Sequence, residues 1–495
     1  MDRIARDYLA QMHNATDYAI WSQAAQELDH RTGMDEWKDD ETSDLYDWRL
    51  IRSRLRQIRQ YRAENDIPKL VYHLRQGLHW NVGNIGNPHL FATACFGTKN
   101  LVKEYVTEVA ATLDDLCDVE RPEFPMEEKL KFFHQVALSY GRSSLMLSGG
   151  ATLGLFHVGV VKALFRENLL PTVLSGSSAG AIVASVVCTH TQAQAEEFMD
   201  PKTAFYHFWR MLPMRQMLKR GSVMDQDQLR LAISKNIGDL TFEEAYKKSG
   251  RILNITVSPN GVNQPPRLLN YLTFPYLYVH EAVLASCAVP ILFPPVMLMT
   301  RDIKGDRVPY MPQLKWNDGS LKSDLPTIRL RRLHNVNHFV VSQTNPHVLP
   351  FVSRNEPGSR GLLNSVRELA QNTVRQQARN VLSLARANFP MGKLEKPIDT
   401  AASILDQDYR GNINIFPEVS LWRYANVTSN PTMESVQRFM LEGERATWSR
   451  MEMIRTQTHI SSALDRCVDR LEARAADSKL RELPKKPGLR IVRQR

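Results

Sequence analysis

The chain has 495 residues, 43% hydrophobic and 23% charged, with a net charge of +10. That composition is ordinary for a globular protein with a buried core, spread over about two to four domains, and its positive surplus fits acidic partners: anionic lipid, a phosphate-bearing substrate or nucleic acid. Five scattered cysteines without a C-x-x-C pair exclude a disulfide framework and point to a reducing, cytoplasmic compartment; the N-terminus, Met1-Asp2-Arg3-Ile4, lacks the basic-then-apolar order of a signal peptide.

Residues 1–140 read as a helical N-terminal region. Trp48, Ile51, Leu55 and Ile58 recur at spacings of three and four, with Arg49, Arg52, Arg56 and Arg59 on the remaining surface. This predicts a helix packed on a core with a solvated basic face, rather than a lipid-binding face. Pro122-Glu123-Phe124-Pro125 marks a boundary.

From 141 to 350 strands and helices alternate. Leu145-Met146-Leu147, Val173-Leu174, Ile252 to Val257 and His338 to Val341 are the predicted strands, and Phe156 to Phe165 a predicted helix. The alternation predicts an α/β fold with a mainly parallel sheet between helices. The most apolar stretch, Tyr271 to Met299, is broken by four prolines, His280 and Glu281. A spanning helix needs ~20 uninterrupted apolar residues, so this stretch is expected to be buried core and loop, and any membrane is met from the side.

Residues 351–478 are expected to form a helical extension on the core. Within it, 362–387 reads as one long helix with Leu362, Val366, Leu369 and Val381 in a stripe and Arg367, Arg375, Arg379 and Arg386 around it. Such a helix either covers the sheet or lies on a membrane surface. The basic tail 479–495 is expected to be disordered.

Three segments of the α/β region carry chemistry. The first is Gly176-Ser177-Ser178-Ala179-Gly180, between a strand and the small, apolar run Ala181 to Ala184. It reads as a strand, a sharp turn and a helix, with Ser178 at the apex and the glycines Gly176 and Gly180 permitting the close approach. The second is Ser148-Gly149-Gly150-Ala151-Thr152-Leu153-Gly154, directly after a strand. Backbone N–H groups around Gly149, Gly150 and Ala151 are candidates to hold the oxyanion of an acyl-transfer intermediate; the alternative is a plain strand-helix turn or a nucleotide loop, against which stands the lack of a following Lys-Ser/Thr. The third is Trp316-Asn317-Asp318-Gly319-Ser320, whose Asp318 is a candidate base for Ser178. An Asp-Gly pair alone is a turn signal.

In this order the three segments resemble the patatin-like phospholipase family over about 145–345, as does Ala282 to Pro290 followed by Phe293-Pro294-Pro295-Val296. The resemblance implies a patatin-like α/β core and a Ser178–Asp318 dyad without a catalytic histidine. The chain departs from plant-storage patatins at Leu153, where their loop has an Arg, and at Ser148, where an Asp is common. Glu27-Leu28-Asp29, Asp35-Glu36-Trp37-Lys38, Gly77 to Asn81 and Gly443 to Trp448 further resemble one subgroup, the lipid-droplet triacylglycerol lipases of fungi and oil-storing plants and their shorter bacterial relatives. Without the long polar tails of the eukaryotic members, a bacterial relative is the expectation.

The implied activity is release of fatty acids from acylglycerols at an anionic membrane or lipid-droplet surface, the protein being peripheral and cytoplasmic. The alternatives are a phospholipase A or lysophospholipid acyltransferase using the same dyad, and a catalytically idle lipid-surface scaffold. A Ser-His-Asp triad would need a late histidine, for which His334, His338, His347 and His459 qualify by order only. His30 and Asp35 have the H-x4-D spacing of glycerolipid acyltransferases, a two-residue coincidence. No metal-ligand spacing, cofactor motif or nucleic-acid module is present, so no metal, no cofactor and no nucleic acid partner is expected.

Overall fold

The structure is a computed structural model that describes residues 3–260, 264–346, 348, 409–418 and 427–482. The basic helix expected at 362–387 and the tail beyond Glu482 lie outside the described residues; the last helix, Met451–Glu482, runs past the predicted start of that tail. The chain divides into two compact units: Met1–Asp40 with Gly86–Lys99 and Ser143–Thr456, and Glu41–Ile85 with Asn100–Arg142 and Gln457–Arg495.

The first unit is built on a seven-stranded sheet. Its strands are β1 (Arg142–Leu147), β2 (Val173–Gly176), β3 (Ile252–Pro259) and β4 (Arg267–Leu269), then, after a separate β5 (Met299–Arg301) and β6 (Arg307–Pro309) hairpin, β7 (Trp316–Asp318), β8 (Val336–Ser342) and β9 (Ile413–Ile415). The order is β4-β3-β2-β1-β8-β9, with β7 also on β3. β1 with β2, β2 with β3, and β8 with β9 are parallel; β4 and β7 run antiparallel to β3. Five of the six residues of β1 and all of β2 and β3 are buried. Central strands covered on both faces read as continuous apolar runs rather than alternating ones.

Two helices beside the sheet cross at glycines. A β-carbon at Gly159 would run into the carbonyl of Met440, and one at Gly443 into the carbonyl of Phe156. The helices Leu155–Arg166 and Met433–Trp448 therefore approach backbone to backbone, with Lys162 and Arg166 pairing the buried Glu444 beside the crossing. Leu153 packs in the same place, with Leu155, Val436, Phe439 and Met440. Leu153 thus helps seat the helix Met433–Trp448.

The second unit is helical. Trp48–Ala63 buries Ile51, Leu55 and Ile58, as the spacing predicted. Its basic face is matched to acids: Arg52 pairs Glu41, Arg59 pairs Glu104 and Glu108, and Arg62 pairs Glu108 and Asp115. Arg59 and Arg62 face the acidic flank of Asn100–Asp118.

Candidate active site

Ser178 sits between β2 and the helix Ala179–Thr189. Its backbone has φ 51 and ψ −118, a strained conformation for any residue with a β-carbon, costing about 1–3 kcal/mol. Several bonds hold it. The Ser178 N–H donates to Ser286 Oγ at 2.9 Å, and the Ser177 N–H to the Leu147 carbonyl at 3.1 Å. Ser177 Oγ donates to the Asp324 carbonyl at 3.0 Å and bonds Thr256 Oγ1. Gly176 and Gly180 lack side chains for a steric reason: a β-carbon at the first would strike the Gly180 carbonyl, and one at the second the Leu147 carbonyl.

Asp318 arrives from the far side of β3. It ends β7, opposite Val257, and is buried. Burial pushes its pKa up to about 6, against the opposing influence of the Ser320 amide and hydroxyl and of the Ser178 hydroxyl. Its Oδ1 accepts the Ser320 N–H at 2.7 Å. Its Oδ2 has no hydrogen-bond partner among the described residues. Ser178 and Asp318 line one cavity.

The glycine loop after β1 forms another edge of that cavity. The Gly149 N–H is occupied, donating to Asp324 Oδ1 at 2.9 Å. Gly150 and Ala151 line the cavity, and their amides have no acceptor among the described residues. Ala151 has φ 49, which turns the chain at this point. Gly150 is pinned from behind, since a β-carbon there would strike Thr344 Oγ1.

Beneath the loop lies a polar network. His157 Nε2 is 3.0 Å from the Ser148 carbonyl and Nδ1 is 2.7 Å from Ser342 Oγ. Facing a carbonyl, Nε2 carries the proton, and Nδ1 accepts from the serine. Burial pushes the His157 pKa down to about 4, so the ring is neutral. Thr344 Oγ1 donates to the Gly149 carbonyl at 3.1 Å, and the Thr344 N–H donates to Ser148 Oγ at 2.8 Å. Asp324 accepts from Asn345 Nδ2 at 2.8 Å as well as from Gly149, and burial pushes its pKa up to about 7. Ser286, Asp324 and His157 escape a sequence reading. Each is a polar residue in an apolar or turn-like run, given meaning only by what the fold sets against it.

The cavity measures about 260 Å³ and is walled by apolar side chains such as Val158, Ile182, Val186, Phe198, Trp209 and Phe293. None of the described histidines lines it. His334 bonds Asn254 Oδ1 and His338 bonds Ser143 Oγ, each in buried structure; His347 lies outside the described residues. His30 and Asp35 do meet, at 2.8 Å, as an exposed pair that lines no part of the cavity. Among the described residues no cluster of His, Cys, Asp or Glu fits a metal ion, and no helix is long and apolar enough to cross a membrane.

Comparison with known proteins adds two family matches. A model described as a patatin-like phospholipase matches residues 145–330, and a domain of unknown function (DUF3336) matches residues 2–138. The chain is 36% identical to triacylglycerol lipase SDP1L of Arabidopsis thaliana, over 92% of this chain and 58% of that protein. It is 34% identical to triacylglycerol lipase 4 of Saccharomyces cerevisiae, over 94% of this chain and 53% of that protein. Against triacylglycerol lipase ptl3 of Schizosaccharomyces pombe the identity is 33%, over 95% of this chain and 98% of that one. The chain therefore spans little more than half the length of the first two relatives and nearly all of the third.

Proposed function

The chain belongs to the patatin-like phospholipase family, and from that premise we propose that it is a serine acyl hydrolase releasing fatty acids from acylglycerols, triacylglycerol first among them. The observation that carries this is the meeting, at one apolar cavity lined by none of the described histidines, of a strained Ser178 and a buried Asp318 whose Oδ2 has no partner among the described residues. The choice of triacylglycerol rests on the three relatives named triacylglycerol lipases. A substrate that partitions out of water supports peripheral action at a membrane or lipid-droplet surface, and the five unpaired cysteines support a cytoplasmic one.

Ser178 Oγ attacks the ester carbonyl carbon and passes its proton to Asp318 Oδ2. The carbonyl oxygen becomes an anion and accepts the N–H groups of Gly150 and Ala151. The third candidate donor, Gly149, holds the loop on Asp324 instead. Collapse of the intermediate breaks the ester C–O bond, and the departing alcohol takes the proton from Asp318. Water then repeats the sequence on the acyl-enzyme: Asp318 removes its proton, and the fatty acid leaves as Ser178 is reprotonated. The apolar cavity holds the acyl chain.

The test is a panel of tri-, di- and monoacylglycerols and phospholipids, with Ser178→Ala and Asp318→Asn as controls. Triacylglycerol should be cleaved best. Asp318→Asn should lower turnover by about a hundred- to ten-thousandfold with the fold intact. A fluorophosphonate should label the wild type and not Ser178→Ala. Full turnover by Asp318→Asn would overturn the dyad.

A further inference from the structure

Two segments that wall the cavity continue outward into one exposed apolar tip. Trp209 lines the cavity and donates its indole N–H to Thr152 Oγ1 at 3.1 Å. The chain then runs out through an antiparallel bridge, Met211 opposite Met224, closed by the helix Met214–Arg220. Alongside lies the segment holding Leu292 and Phe293, both in the cavity wall. The two segments are tied by Val223 N–H to the Ile291 carbonyl at 3.2 Å and Met224 N–H to the Leu292 carbonyl at 3.0 Å.

The outer end is unlike an ordinary surface. Met211, Met214, Leu218 and Ile291 are 65%, 77%, 83% and 78% exposed. Met214 and Leu218, four apart, share one helix face. Ile291 also has φ 76, a strained conformation for a β-branched residue. Single exposed apolar residues need no explanation; four on two hydrogen-bonded segments are a concentration that does. Each helical member is followed by a cation, Arg215 after Met214 and Lys219 after Leu218, both exposed. Arg210 and Arg220 are paired with Asp225 and Asp227, whereas Arg215 and Lys219 have no acidic partner among the described residues.

We propose that this tip, Met211 to Arg220 with Ile291, is the element that docks the protein on an anionic phospholipid surface. The four apolar side chains enter the acyl layer, and Arg215 and Lys219 meet the headgroup phosphates. Because the inner ends of the same segments line the cavity, an acyl chain passes from the lipid layer to Ser178 along one apolar wall. The inference rests on the reading of the protein as a lipid acyl hydrolase.

Flotation of the full chain with vesicles of phosphatidylcholine, alone or mixed equally with phosphatidylglycerol, tests it. The wild type should float with the mixed vesicles and weaken in high salt. The double variant Met214→Ser/Leu218→Ser should bind about tenfold or more weakly. Arg215→Gln/Lys219→Gln should bind mixed vesicles about tenfold more weakly and phosphatidylcholine alone unchanged. Both doubles should keep wild-type rates on dissolved p-nitrophenyl butyrate, which also shows them folded, while losing rate on emulsified triacylglycerol. Wild-type flotation by both doubles, or a wild type that ignores anionic vesicles, overturns the proposal. So does an apolar double that changes only self-association, which would make the patch a contact between copies. Ser178→Ala should float normally without hydrolysis, so a failure of docking and a failure of the hydrolase reading are separate results.

Discussion

A serine hydroxyl gives its proton to a carboxylate only where that carboxylate's affinity for protons has been raised, and burial does this to Asp318, to about 6. The base must be ionised to act, so kcat/KM on a dissolved ester should fall as pH drops through about 6, with one proton on the acid limb. The same shift has an opposite consequence for stability. The folded pKa lies above the unfolded one, so the folded chain binds this proton more tightly. The contribution is fully present below about 3.8 and is lost as pH rises through about 6. Chemical denaturation should therefore show Asp318→Asn gaining on the wild type across that window, by about 2–3 kcal/mol. A constant gap would mean that the carboxylate is not buried.

Asp324 works at one remove from the reacting atoms. It holds the Gly149 N–H and so sets where the Gly150 and Ala151 amides point. In Asp324→Asn, an amide N–H₂ replaces one of two acceptor oxygens and meets either the Gly149 N–H or the Asn345 amide. Displaced oxyanion donors should lower kcat about ten- to a hundredfold with KM for a dissolved ester unchanged. A purely structural role would reduce the number of active molecules counted by fluorophosphonate titration and leave kcat per active site alone.

Among the elements, the legible ones were those with a clear period or a turn signature. The helix at 48 was announced by Ile51, Leu55 and Ile58, and all three are buried. The strands at 145, 173, 252 and 338 were read as short apolar runs and appear as β1, β2, β3 and β8, each longer than its apolar kernel. The helix Val279–Ser286 was read as core and loop. All eight of its residues are buried, so it has no polar face to create a period, and nearby prolines read as breakers. The crossing of Leu155–Arg166 with Met433–Trp448 was invisible as well, because an isolated helical glycine signals only a weak helix. The crossing makes its own prediction. Gly443→Val should lower the urea midpoint, at a cost of about 1–3 kcal/mol or more, since the new side chain meets the Phe156 carbonyl. Because Leu155–Arg166 follows the glycine loop, hydrolysis should fall with it.

At the scale of the molecule, the chain is comparable in length to one of its relatives. A fission-yeast lipase is matched over 98% of its length. The chain's own cysteines, Cys95, Cys117, Cys188, Cys287 and Cys467, are all unpaired, as their spacing suggested. A reductant should accordingly leave the thermal midpoint unchanged, as scanning calorimetry with and without dithiothreitol would record. Ion-pair rows such as Arg59 and Arg62 with Glu104, Glu108 and Asp115 cancel within the net charge of +10, so the surplus lies on cations outside such rows. The total does not say where that surplus sits, and cations such as Arg215 and Lys219 are found only in the fold.

The sequence by itself determined the α/β class, the turn that carries Ser178 and Asp318 as a candidate base, because each leaves a local mark: an apolar run, a pair of obligatory glycines, a motif in a fixed order. Tertiary structure alone decided that Gly149 is bound while Gly150 and Ala151 face the cavity, that His157 is buried beneath the loop and off the cavity wall, and that Met214 and Leu218 face water. Those are properties of what lies opposite a residue. Burial, hydrogen-bond satisfaction and proton affinity arise when segments distant along the chain are brought together, and no local pattern records them.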